Sequence, residues 1–208
     1  PYAHGDSGMD GPVLAEPTLK PCKLNAIELM EKTLRESEDK VTLVALGPLT
    51  NIAIFLCAHP ELKEKIDKIS LMGGTTVIGN RTPACEFNIW EDPEAAHIVF
   101  TSGLPIVVCP LDVTYQAGIN DEEVNVIRAI GNKASLFFAD LLDFFCQYHR
   151  KFGRLYTPLH DPCSVVYLID ETLFETKDVY IEIDRDGELT LGSTVTDINC
   201  RFHDAPNC

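Results

Sequence analysis

The chain has 208 residues, 45% of them hydrophobic, which is enough to bury one sizeable core and reads as a single domain over residues 1–208. Its 17 Lys and Arg stand against 32 Asp and Glu, and the net charge of -15 repels phosphate backbones and anionic membrane surfaces, so nucleic acid is not an expected partner. No apolar run reaches the roughly 20 residues of a membrane-crossing helix and no signal-peptide pattern is present, so no membrane partner is expected either.

In chain order, the first helical pattern is NAIELMEKTLRES, residues 25–37, with Asn25 as N-cap and Glu28 close to a capping box. VTLVALG (41–47) is a short apolar run closed by Gly, the mark of a strand buried on both faces of a parallel sheet. LTNIAIFLCA (49–58) is helical, KISLMGG (68–74) is a second strand, DPEAAHIVF (92–100) a helix, and PIVVCPL (105–111) a third strand. Two helical patterns follow at 120–131 and 133–152. Then PLHDPCSVVYLID (158–170) opens another, with Asp161 as N-cap and Pro162 at the first helical position. After residue 178 the pattern changes to two alternating runs around Asp186-Gly187, which predicts a hairpin. The alternation of strand and helix predicts an α/β fold: a Rossmann-like open, mostly parallel sheet with helices on both faces, plus a C-terminal β-hairpin.

The eight cysteines never fall at CxxC spacing, and four of them, Cys57, Cys109, Cys146 and Cys163, sit in apolar stretches. Buried, reduced thiols and a cytoplasmic location are expected, rather than disulfides or a zinc site.

Ligands of open α/β sheets bind beyond the carboxyl ends of the strands. Four stretches qualify: GPLTNIA, TTVIGN, ACEFNIWEDPEAA, and the helix start at His160 and Asp161. Each has an ordinary structural reading as well. Gly47-Pro48 and Gly79-Asn80 are turn pairs, Asn80-Arg81-Thr82 matches a glycosylation sequon, and Asp92-Pro93-Glu94 is a helix start.

Taken together, LVALGPLTNIA, LMGG, EFNIWEDPEAAHIVF and LHDPCSVVYLID, with HGDSGMDGP at 4–12, resemble the inosine-uridine preferring nucleoside hydrolases in order and separation. The resemblance implies hydrolysis of the N-glycosidic bond of ribonucleosides, assisted by calcium, by a homodimer or homotetramer. It aligns His160 with a general acid at the leaving base, and Asp161 and the Leu46 carbonyl with calcium ligands. Asn80, Glu86 and Asn88 align with groups that hold ribose hydroxyls, and Met72 with an apolar wall beneath the sugar. Phe87 and His4 align with the lining of the same pocket, and Tyr156 with a mobile segment that the family folds over the base. The family's DxDxxxDD cluster, which supplies the catalytic base and most calcium ligands, has no counterpart here, so the chain resembles an interior portion of the family pattern. The alternative reading is a catalytically inactive homologue that binds nucleosides or serves as an oligomerisation partner. Base preference stays open, with a slight lean to pyrimidines.

Overall fold

A computed structural model describes residues 5–14, 16–202 and 205–208. In chain order the elements are α1 (Ala26–Glu36), β1 (Val41–Ala45), α2 (Thr50–Ala58), β2 (Ile66–Met72), α3 (Phe87–Glu91), α4 (Pro93–Phe100), β3 (Ile106–Cys109) and α5 (Leu111–Thr114). There follow β4 (Gly118–Ile119), α6 (Asp121–Ala129), α7 (Lys133–Arg150), β5 (Thr157–Pro158), α8 (Pro162–Ile169), β6 (Tyr180–Ile183) and β7 (Thr194–Asp197). Short 3-10 helices cover Pro60–Lys65 and Glu171–Leu173.

These elements form two compact units. The larger spans residues 22–114 and 160–208 and contains a parallel sheet in the order β1-β2-β3. Strand β2 sorts its side chains by alternation. Ile69 and Leu71 enter a core with Leu34 of α1, Phe55 and Leu56 of α2, and Ala96 and Val99 of α4. Ser70 and Met72 take the opposite face, where the Ser70 hydroxyl donates to the Ser164 carbonyl of α8 at 2.8 Å. Helices therefore cover both faces of the sheet, as the sequence predicts. The smaller unit includes residues 115–159, where α6 packs on α7 around Val124, Ala139 and Leu142, and β4 pairs with β5.

Most helix starts follow from their caps. The Asn25 and Asn120 side chains accept from the backbone of Glu28 and Glu123, and both glutamates answer, completing two capping boxes. Asp161 differs. It occupies the N-cap position with Pro162 behind it, but its backbone is already helical, at φ -60° and ψ -38°, and its side chain makes no capping bond. A helical N-cap turns the side chain away from the amides it would otherwise receive.

The C-terminal hairpin forms as expected, with a longer connection than its Asp-Gly pair suggests, and the burial of one cysteine is corrected. Strands β6 and β7 do pair antiparallel, from Tyr180 opposite Asp197 to Ile183 opposite Thr194, but no tight Asp-Gly turn joins them. Residues 184–193 form a longer loop because the Asp184 carboxylate captures the amides of Asp186 and Gly187 and the hydroxyl of Thr190. Those bonds hold its carboxyl below the usual carboxylate range, the Thr190 hydroxyl contributing most. All eight cysteines are free, and Cys109, Cys146 and Cys163 are buried, yet Cys57 is exposed. Helix α2 turns Ala53 and Leu56 into the core, which leaves Ile54, Cys57 and Ala58 on its outer side. Cys85, in the loop ahead of α3, is buried instead.

Candidate active site

Strand register lines up the candidate residues of the larger unit along one edge. Ala45 is opposite Leu71 and Met72 is opposite Cys109, so Leu46, Met72 and the start of the β3–α5 connection lie side by side at the carboxyl ends of three strands, roughly 5 Å apart from strand to strand. Leu46 is half-exposed just past β1.

Glu86 organises the end of β2. It is 2% exposed and serves as N-cap of α3, where its carboxylate accepts from Asn88 N at 2.9 Å and Ile89 N at 3.3 Å. It also takes Gly74 N at 3.0 Å. Of the two glycines after Met72, Gly74 is the one whose backbone and surroundings call for glycine, while Gly73 is merely tight. A Cβ on Gly73 would lie 3.2 Å from Ile89 Cδ1, and Gly74, at φ +77°, would meet the Thr194 side chain at 2.8 Å. Burial pushes the Glu86 carboxyl above its ordinary value, against the pull of the Asn88, Gly74 and Ile89 amides.

Asn88 and Asn80 complete the cluster. The Asn88 amide donates to the Met72 carbonyl at 3.0 Å, which leaves its Oδ1 with no donor among the described residues. Asn80 Oδ1 accepts from Phe87 N at 2.9 Å, so the Asn80 amide nitrogen is the group left to donate. The Asn80 loop is tight: the amides of Asn80, Arg81 and Thr82 all point to the Cys85 carbonyl, at 3.1 to 3.3 Å. Arg81 adds a cation–π contact over Trp90, 4.2 Å from the ring centroid. One amide donor and one acceptor beside the buried Met72 make a surface suited to neighbouring hydroxyl groups.

His160 is reached through α5. Leu111 N donates to the Gly74 carbonyl at 2.9 Å, and Asp112 accepts from Thr76 N at 2.9 Å, which ties this short helix to the loop that Glu86 holds. Thr114, the last residue of α5, meets His160 Nδ1 at 2.8 Å. A continuous bonded path thus runs from Glu86 through Gly74 and α5 to the imidazole. Sequence reading missed Thr114, Asp112 and Ser70. The rule that pointed past β1 and β2 applies equally past β3, where PLDVT stands.

The structure therefore joins Met72, Asn80, Glu86, Phe87 and Asn88 directly, and His160 through α5. Asp161 follows His160 at the head of α8, and Tyr156 belongs to the smaller unit, where it is exposed just ahead of β5. His4 lies outside the described residues. An apolar groove of about 490 Å³ between α2 and α4, lined by Ile54, Cys57, Asp92 and Ile98, contains none of these residues.

The profile of the family described as "Inosine-uridine preferring nucleoside hydrolase" matches residues 1–208. The chain belongs to the inosine-uridine preferring nucleoside hydrolase family. It is 53% identical over 196 residues to the pyrimidine-specific ribonucleoside hydrolase RihA of Shewanella sp. (strain ANA-3), covering 93% of this chain and 62% of that protein. It is 50% identical over 206 residues to the pyrimidine-specific ribonucleoside hydrolase RihA of an Escherichia coli O1:K1 strain, covering 98% and 66%. Among solved structures, a purine-preferring ribonucleoside hydrolase from Gardnerella vaginalis superimposes with a TM-score of 0.89 at 32% identity, over 99% of this chain and 66% of that one. The chain thus spans a little under two thirds of the relatives it matches.

The family generally uses a metal ion. The two ligands that the resemblance implies, Asp161 and the Leu46 carbonyl, would supply two oxygens, whereas calcium, the ion it implies, takes about six to eight. Among the described residues no group of three or more His, Cys, Asp or Glu could hold a metal. The donors present do not by themselves fit the ion.

Proposed function

We propose that this chain carries the ribose- and base-handling part of a ribonucleoside hydrolase, with pyrimidine ribonucleosides as the first substrates to test. The observation that carries this reading is the family match across residues 1–208. The pyrimidine lean comes from the two RihA relatives.

In this reading Asn80 donates to one ribose hydroxyl and Asn88 Oδ1 accepts from another, with Met72 beneath the sugar and Phe87 at its rim. Glu86 acts mainly from behind, because its oxygens already receive the backbone of Gly74, Asn88 and Ile89. The C1′–N bond breaks with its electron pair leaving on the base, through an oxocarbenium-like sugar. His160 gives a proton to the departing base. Water adds to C1′ and releases a proton, which restores the imidazole, so nucleoside and water become ribose and free base. Calcium is proposed as the family ion, with Asp161 and the Leu46 carbonyl as two ligands of a shell whose other donors belong to the DxDxxxDD pattern absent from this chain. Cytoplasmic location and a homodimer or homotetramer complete the proposal; the eight free thiols favour a reducing compartment.

The test is release of free ribose from uridine, cytidine and inosine with calcium present, by this chain and by a protein of the relatives' length that contains it. His160→Ala should lower kcat by about 10² to 10⁴ while leaving KM nearly unchanged. No ribose from a longer protein with the aspartate cluster intact overturns the assignment. A second reading, nucleoside binding without turnover, is favoured by the small donor set. Equilibrium dialysis that retains uridine with no ribose formed would select it.

A further inference from the structure

We propose that Thr114 is a positioning residue for His160: its hydroxyl donates to Nδ1 and so keeps the neutral imidazole in the tautomer that carries its proton on Nε2. The inference rests on the reading of His160 as the acid at the departing base, and gives that acid its proton address.

The argument is one of hydrogen-bond accounting. Thr114 is 0% exposed, so no water serves its hydroxyl. Among the described residues its Oγ1 has one partner, His160 Nδ1 at 2.8 Å. A buried O–H that fails to donate costs free energy comparable to a lost hydrogen bond, and Nδ1 is the acceptor within reach. Nδ1 must then present its lone pair, and a neutral ring with a lone pair on Nδ1 holds its hydrogen on Nε2. In that tautomer Nε2–H is the ring's hydrogen-bond donor, and it is the atom that can reach the departing base as the C1′–N bond breaks.

The anchor is rigid enough to select one tautomer. Thr114 is β-branched and therefore stiff at χ1 within a helix. Its amide donates to the Pro110 carbonyl at 3.1 Å, and α5 is pinned to the Gly74 loop through Leu111 and to Thr76 through Asp112. Ring orientation is consequently set by the same framework that holds the Glu86 and Asn88 cluster. A valine at 114 would fill the same volume without a donor, and a serine would restore the donor with a freer χ1.

The direct test is the imidazole 15N spectrum of this chain, with the His160 signals assigned by their loss in His160→Ala. The expected wild-type pattern has Nε2 pyrrole-like and Nδ1 pyridine-like. Thr114→Val should move both toward the averaged shifts of a tautomer mixture, and Thr114→Ser should return them. A wild-type proton on Nδ1 overturns the proposal whether or not any variant folds, as does a Thr114→Val spectrum identical to wild type. Where ribose release is measurable, Thr114→Val should lower kcat for uridine about 10-fold or more with KM unchanged, and Thr114→Ser should recover most of it. Turnover of p-nitrophenyl riboside, whose leaving group departs without a proton, should stay level. If His160→Ala leaves uridine turnover intact, the acid assignment fails, whereas the tautomer result stands or falls on the spectrum.

Discussion

Glu86 is a buried carboxylate whose oxygens are taken up by backbone amides at the end of β2. Burial raises its carboxyl while the Asn88, Gly74 and Ile89 amides oppose the rise, and the raised direction prevails. A carboxyl whose folded value exceeds its unfolded one, about 4.3, stabilises the fold fully below that unfolded value and loses the contribution as pH climbs through the folded value. Glu86→Gln removes this titration. The stability of wild type relative to Glu86→Gln should therefore fall as pH rises above the unfolded value of about 4.3 in urea denaturation, and a difference that moves the other way would refute the sign. The sequence made Glu86, Asn80 and Asn88 legible as one group because they crowd into nine residues after a strand. It could not reveal Thr114, whose partner is 46 residues away and whose role exists only once β3 and α8 are adjacent.

At the scale of elements, legibility followed the range of the forces. Caps act within a turn, so Asn25 and Asp92 marked their helix starts correctly, and the structure adds Asn120 and Asn132 as caps of α6 and α7. Asp161 carries the same residue type ahead of Pro162 but does not cap, because its backbone is helical before the helix begins. The hairpin loop departed from expectation for a similar reason: one side chain, Asp184, outcompeted the turn preference of Asp186-Gly187. Cys57 shows the limit of composition, since an apolar neighbourhood in sequence becomes two opposite faces once wound into α2. Asp92 illustrates a cap with a second duty. Its carboxylate accepts from Ala95 N at 3.0 Å and also receives the Thr50 hydroxyl at the head of α2. Asp92→Ala removes both, about 1 kcal/mol for the cap and about 1 for the bond between helices. Asp92→Asn, which keeps an acceptor, should recover much of the loss. Urea denaturation measures both, and equal stability of wild type and Asp92→Ala would show that the contacts are dispensable.

On the scale of the whole molecule, a net charge of -15 and a metal-using family invite the assumption that the chain binds calcium tightly on its own. The distribution of charge argues otherwise. Many carboxylates already have partners: Asp140 and Asp143 receive Arg128, Asp121 receives Arg150, and Glu31 and Glu61 share Arg35. A diffuse negative field concentrates cations near the surface without assembling a shell, and that attraction is screened by salt. A specific site at about 100 times its Kd would stabilise the fold by about 2.7 kcal/mol, a rise of roughly 5 to 10 °C for a chain of this size. With Asp161 and the Leu46 carbonyl as the donors in hand, calcium should instead shift the Tm of this chain by no more than about 1 °C in 0.15 M salt, magnesium should do the same, and a chelator should leave it unchanged. Asp161→Asn should give the same small response as wild type. A calcium-selective rise of several degrees that Asp161→Asn abolishes would mean that a fuller oxygen shell assembles around Asp161, and that the chain holds its ion without the aspartate cluster of the family pattern.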